Sequence, residues 1–357
     1  MPASSVFLPG VVQLLGFFNR SEETSYLLPR VLAPLAIPSR IRDPPIPSHH
    51  RLFFLRETVP SLSKSAPKRR DRTRLSSTSR LGSWRLVQRL ARGMCTDVFV
   101  ARPMQSTNNA PCDYVIKALR TVFESDPILV DTINREAAAG RRLSHSHIIS
   151  ILSAHTHVCP YYVVMPRLEG ATVRQAIDAM GPLIIPQALW IARQVAEALT
   201  EMHRCCLLHC DVKPSNIFVT EAGHATLFDL GFATPWDRCA TAPAADLRGT
   251  LAYIAPEMLT STTAMGPSSD VYSLGVTLFE MLTGRLPFTH SSPARMAESH
   301  LREIPPSPRT FIPQLPRSVA RLLRRMMAKD PSRRPTDDLI ETLMRLEIET
   351  FGLRSVK

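Results

Sequence analysis

Apolar residues fall into short, strand-like runs up to about residue 168, and into longer helical stripes beyond it. Residues 84–90 alternate well enough for a strand, and residues 98–101 read as its hairpin partner. The polar, proline-containing stretch 102–113 reads as a loop. Residues 114–119 then form an apolar strand with one charge in it, Lys117. Residues 133–139 are alanine-rich and predict a helix. Residues 161–165 predict a strong strand. Residues 186–203 place apolar side chains at 188, 189, 191, 192, 195, 196, 199 and 202, the stripe of a helix packed on a core. Residues 217–219 and 225–228 flank the turn signal Glu221-Ala222-Gly223-His224, which reads as a β-hairpin. Residues 270–283 predict another long helix, ended by Gly284. The proline-rich stretch 304–316 reads as a loop between late helices.

Composition adds a core and a basic leader. Apolar residues make up 44% of the 357, enough for one large domain or two smaller ones. Residues 1–80 hold ten prolines and no sustained period, so they read as largely disordered. They also hold 13 Lys/Arg against 5 Asp/Glu, and so carry eight of the twelve net positive charges. The high isoelectric point thus belongs mostly to this leader, and no nucleic-acid partner is expected. The run 68–74 is basic enough for weak contact with an anionic surface; a solvated linker is the plainer reading. Seven cysteines lie between Cys95 and Cys239 without a Cys-x-x-Cys pair, the pattern of a reduced, cytoplasmic chain. No apolar run is long enough to predict a transmembrane span. Residues 6–18 come nearest, broken by Pro9, Gly10 and Gln13 and lacking the basic start of a secretory signal.

The chemistry-bearing residues concentrate in His209-Cys210-Asp211-Val212-Lys213-Pro214-Ser215-Asn216 and in Asp229-Leu230-Gly231, at one end of the 217–228 hairpin. Asn216 and Asp229 offer hard oxygen ligands for Mg²⁺. Asp211 suits an oriented acceptor for a hydroxyl nucleophile. Lys213 suits charge neutralisation on a transferring phosphoryl group.

These residues resemble the protein kinase family in its eukaryotic-like, bacterial-type serine/threonine form. The resemblance spans about residues 84–345 and implies a two-lobed α+β fold. A small β-rich N-lobe with one main helix would occupy 81–168, a larger helical C-lobe 169–350, and a short tail 351–357. It further implies Ser/Thr phosphorylation of protein substrates, with ATP and Mg²⁺ (or Mn²⁺). Lys117 would hold the nucleotide phosphates and pair with Glu136. Ala91, Gly93, Val98, Val115, Met165, Pro166, Leu168 and Phe218 would line the ATP site, with Met165 as gatekeeper and 166–168 as the adenine-binding hinge. Asp211 and Lys213 would be catalytic, and Asn216 and Asp229 would hold the metals. Thr250 would contact Asp211 and Lys213, Glu257 would pair with Arg334, and Asp270 would brace the loop carrying Asp211.

The sequence departs from the family at four points. Ala91 and Thr96 replace the outer glycines of the phosphate-covering loop, Cys210 replaces the usual arginine, and Leu230 the usual phenylalanine. These motivate the alternative of a pseudokinase, a nucleotide-binding scaffold with weak or no transfer activity. A small-molecule phosphotransferase is a third reading, disfavoured by the peptide-groove segment 249–257. His145, His147, His155 and His157 invite a metal-site reading, but no cysteine or carboxylate completes it in sequence. Without an arginine at 210, a phosphate on the activation segment loses one receptor, so activity is expected not to depend strictly on such priming.

Overall fold

A computed structural model describes residues 79–107, 109–236, 250–260 and 265–351. The basic run 68–74, nearly all of the leader, most of the 232–249 segment and the tail beyond 351 therefore lie outside the described residues.

Six strands form one antiparallel sheet in the order β1-β2-β3-β4-β6-β5. They are β1 Arg80–Leu81, β2 Trp84–Arg92, β3 Thr96–Pro103, β4 Tyr114–Leu119, β5 Ser153–His155 and β6 Tyr162–Pro166. Ile116 and Val164 pack into the core on one face of the sheet and Val163 into the core on the other, so the centre of the sheet is buried on both faces. Behind the sheet runs α1, Pro127–Arg142, longer than its alanine-rich centre predicts. Asp126 starts it early: its carboxylate accepts the N–H groups of Ile128 and Leu129, and Pro127 is preset for the first turn.

One strand lies elsewhere than the sequence suggests. The kinase resemblance makes 143–149 a linker and fourth strand, but the strand is β5 at 153–155. The earlier stretch instead bonds to the other lobe: Leu227 N–H donates to His147 O at 2.8 Å, and Ile149 N–H to Leu227 O at 2.9 Å. Its backbone groups are satisfied there, so it ties the lobes together rather than extending the sheet.

The C-lobe is helical. It contains α2 Val173–Met180, α3 Ile185–Arg204, α4 Pro267–Thr283, α5 Pro293–Arg302, α6 Arg317–Met326 and α7 Leu339–Thr350. Every residue of α4 from Ser269 to Thr283 is buried, so α4 is the central post of this lobe. Gly284 ends it in the left-handed conformation (φ 69°). Between the lobes, β7 Ala171–Thr172, β9 Ile217–Val219 and β10 Ala225–Leu227 form a small sheet, and β8 Leu207–Leu208 pairs with β11 Thr234–Pro235. The 304–316 stretch is a loop carrying one short 3₁₀ turn, Pro308–Thr310.

Gly140 sets how closely α1 approaches the sheet side. A Cβ built there would lie 2.2 Å from Ile151 Cγ1. Gly140→Ala is expected to cost about 1–3 kcal/mol in overpacking, reduced by about 1 kcal/mol for removing a helical glycine. Urea denaturation reads the balance. An unchanged or raised midpoint would mean that Ile151 moves aside freely.

Candidate active site

The 208–216 loop is fixed from below. Asp270, in the first turn of α4, accepts the N–H groups of His209 and Cys210, each at 3.0 Å. From α3, His203 Nε2 meets the same carboxylate at 2.8 Å. Burial pushes the Asp270 carboxyl upward, yet the bonds from His203 and His209 hold it below the ordinary aspartate range. It therefore stays an acceptor at neutral pH. These bonds hold Cys210 in a left-handed conformation (φ 63°), which costs a non-glycine residue about 1–3 kcal/mol.

The carboxylate of Asp211, 3% exposed, gathers three neighbours. Thr250 Oγ1 donates to Oδ1 at 2.8 Å, Asn216 Nδ2 donates to Oδ2 at 2.8 Å, and Lys213 Nζ lies 2.7 Å from Oδ2. Lys213 also donates to Thr250 Oγ1. Thr250 closes the ring from a distant segment, which aims the carboxylate and the ammonium at one point.

A second cluster stands beside it. Lys117 Nζ lies 2.6 Å from Asp229 Oδ1 and 2.8 Å from Glu136 Oε2. Burial alone would lower the Lys117 ammonium, but the two carboxylates outweigh it and hold it above its ordinary value. Asp229 is pushed up by burial and held down by Lys117, so it remains ionised. Its backbone is left-handed (φ 68°), which turns its carboxylate toward Lys117 while Leu230 is fully buried. Phe228 N–H donates to Asn216 O at 3.0 Å and joins the two clusters.

The donor set fits a divalent cation. The bonds of Asn216 to Asp211 use Nδ2, leaving the carbonyl oxygen Oδ1, and Asp229 meets Lys117 through Oδ1, leaving Oδ2. Two hard oxygens from adjacent elements therefore remain for a metal.

The other expected positions distribute as follows. Val98 lies opposite Lys117 across β3–β4, and Val115 opposite Met165 across β4–β6. Met165 is buried, and Pro166 ends β6 opposite Tyr114. Leu168 packs against the main core. Phe218 lies in β9, opposite Thr172. Ala91 is exposed near the end of β2, and Gly93 N–H donates to Thr96 O at 2.7 Å within the hairpin tip. Glu257 and Arg334 stand apart from the Asp211 and Lys117 clusters as a buried two-bond pair at 2.6 and 2.8 Å. His147 Nδ1 meets Ala225 O and His155 Nδ1 meets Pro160 O, both at 2.8 Å; His147 Nε2 lies 3.4 Å from Glu197 Oε2, and His145 Nδ1 accepts the His147 N–H at 3.2 Å. Among the described residues no His, Cys, Asp or Glu group is placed to hold a metal by side chains of that set alone.

Two supporting residues escaped the sequence reading. His203 had no signal beyond its place in the helical stripe. Glu280 is the single acidic residue in the apolar run 271–283, and that was the available sign. It meets Arg174 at 2.6 Å and accepts from the Tyr253 hydroxyl, so it anchors the segment that follows Thr250.

Comparison with known proteins agrees with this geometry. The protein kinase domain model matches residues 84–346. The chain is 34% identical over 222 residues to the serine/threonine-protein kinase PrkC of Bacillus subtilis, covering 62% of this chain and 34% of that protein. It is 30% identical over 261 residues to the probable serine/threonine-protein kinase PknB of Lactococcus lactis, covering 73% and 41%. To the serine/threonine-protein kinase PknA of Mycobacterium tuberculosis it is 31% identical over 258 residues, covering 71% and 58%. The chain thus spans between 34% and 58% of the length of these relatives. With a kinase-domain match over most of its length and Lys117, Glu136, Asp211, Asn216 and Asp229 in two adjoining clusters, the chain belongs to the protein kinase family and is similar to its bacterial-type serine/threonine members.

Proposed function

We propose that the protein is a serine/threonine protein kinase, transferring the γ-phosphate of ATP to Ser or Thr hydroxyls of protein substrates. The ring formed by Asp211, Lys213, Thr250 and Asn216 carries this reading. Asp211 accepts the proton side of the incoming hydroxyl and orients it. Lys213 neutralises charge on the transferred group, and Lys117, held by Glu136, positions the phosphates. Asn216 Oδ1 and Asp229 Oδ2 would hold Mg²⁺ or Mn²⁺, which supplies charge neutralisation across the phosphates. Val98, Val115, Met165 and Phe218 suit adenine burial. Hinge recognition of adenine would use the carbonyl of Pro166 and the amide and carbonyl of Leu168; Pro166 keeps its carbonyl and lacks only an N–H that is not used, so adenine binding survives. Thr250 beside Asp211 supports Ser/Thr over Tyr acceptors. No charge needed for transfer is missing from the two clusters, and nothing in them favours a pseudokinase.

The test is labelled-ATP transfer to itself and to a basic protein, with and without a chelator, followed by phosphoamino-acid analysis. Metal-dependent phosphoserine or phosphothreonine is expected. Label in phosphotyrosine, or in aminoglycosides but not protein, would overturn the reading.

The proposal extends to regulation. Cys210 is 6% exposed and packs with Leu208, Phe232, Met258 and Met265. That apolar setting offers no cation to a phosphorylated activation segment. Phosphatase-treated enzyme is expected to keep most of its activity; complete loss would contradict this. Among the described residues no helix is long and apolar enough to cross a membrane. A cytoplasmic location, and weak contact of 68–74 with anionic surfaces, are part of the same proposal. The cysteine pattern supports the first and the charge run the second.

A further inference from the structure

We infer that Arg120 is a positioning residue for the nucleotide phosphates, holding the tip of the β2–β3 hairpin in place of the absent outer glycines. The inference rests on the kinase reading and concerns how ATP is gripped.

Beyond the Gly93–Thr96 bond and the packing of Cys95 against the core, the tip has little else to hold it. The Met94 side chain is 78% exposed, so it packs on almost nothing. Ala91 and Thr96 are less permissive of backbone rearrangement than glycine. Yet both carbonyls at the tip are engaged by one residue. The Arg120 guanidinium donates to Met94 O at 2.6 Å, and the Arg120 backbone N–H donates to Cys95 O at 2.8 Å.

Arg120 is itself set in place. It directly follows β4, three residues after Lys117. The 3₁₀ turn Thr121–Phe123 is closed by Phe123 N–H donating to Arg120 O at 2.8 Å. That turn brings the Phe123 ring under the guanidinium, 5.4 Å from its centroid. Phe123 packs in turn against the main core.

In a trans peptide the N–H points opposite to the carbonyl. Fixing Met94 O and Cys95 O on Arg120 therefore fixes the N–H groups of Cys95 and Thr96 toward the other edge of the tip. Two oriented N–H groups make a concave anion site of the kind that cradles phosphate. A flexible glycine loop adopts that arrangement on binding; here the arginine imposes it beforehand.

Adenosine and ATP separate this role from a general one, because adenosine lacks the phosphates. Calorimetric titration of wild type, Arg120→Ala and Arg120→Lys with each compound is the experiment. Arg120→Ala is expected to weaken ATP about tenfold and leave adenosine unchanged, with Arg120→Lys between. Hydrogen exchange at the N–H groups of Gly93 and residue 120, which bond to Thr96 O and Cys95 O, should quicken in Arg120→Ala before any ligand is added. Equal losses for both compounds would assign Arg120 to the stability of the lobe, and no loss for either would remove it from the site. A wild type that binds adenosine and ATP equally would also overturn the phosphate grip while sparing the adenine site. Wild type binding neither would sink the kinase reading and this inference together.

Discussion

Asp211→Asn is expected to lower the turnover of phosphoryl transfer by about 10²–10⁴-fold while leaving ATP affinity within about threefold. The substitution preserves shape and removes charge. Asp211 Oδ1 accepts from Thr250, and Oδ2 meets both Asn216 and Lys213. An asparagine can keep one acceptor oxygen but places an N–H₂ against one of these donors. The ring therefore reorients, the incoming hydroxyl loses its acceptor, and Lys213 loses its anionic partner. Lys117, proposed to hold the phosphates, belongs to the other cluster, with Glu136 and Asp229, so nucleotide binding should survive. Steady-state transfer to a basic protein gives the first quantity and calorimetry the second. A variant retaining more than about a tenth of wild-type turnover would remove Asp211 from the chemical step. Asp211→Ala should show a similar loss, and agreement between the two variants separates chemistry from local collapse.

The second large effect is on stability. Arg334→Met is expected to destabilise the fold by about 3–5 kcal/mol, because it strands a buried carboxylate. Glu257 and Arg334 are 2% and 0% exposed at their side chains. Arg334 also donates to the carbonyls of Ala328, Ser268 and Lys329, so three acceptors lose their donor as well. Ser269 keeps its bond to Glu257 Oε1 at 2.6 Å, which offsets a small part of the loss. Glu257→Gln with Arg334→Met should recover part of the stability, since the unpaired charge is gone. Urea denaturation of the single and double variants measures the recovery. A single-variant loss under about 1 kcal/mol would mean that water reaches Glu257. The effect reaches the active site because Glu257 closes the segment that begins at Thr250.

Much of this was legible in the residues themselves. The strand and helix positions came from period and turn signals, and α3 differs from its predicted span by one residue at each end. The fourth strand was misplaced because an apolar run such as 148–152 does not reveal which neighbour will satisfy its backbone. Its earlier part turned to Leu227, in the other lobe. The helix α1 exceeded its prediction because a capping aspartate, Asp126, sits outside the alanine-rich stretch that drew attention.

The sequence by itself determined the family and the order of its motifs, and it named the residues proposed as base, phosphate-neutralising lysine and metal ligands. Those properties reside in residue type and short spacing, which the chain carries unfolded. Only the tertiary structure decided the partnerships across long separations. Lys117 meets Asp229 across 112 positions, Thr250 meets Asp211 across 39, and His203 meets Asp270 across 67. It also decided that Cys210 lies in an apolar pocket, and that Arg120 grips the hairpin tip. The physical reason is that a hydrogen bond at 2.6–3.0 Å depends on where packed helices and strands bring two atoms. No local pattern along the chain encodes that distance.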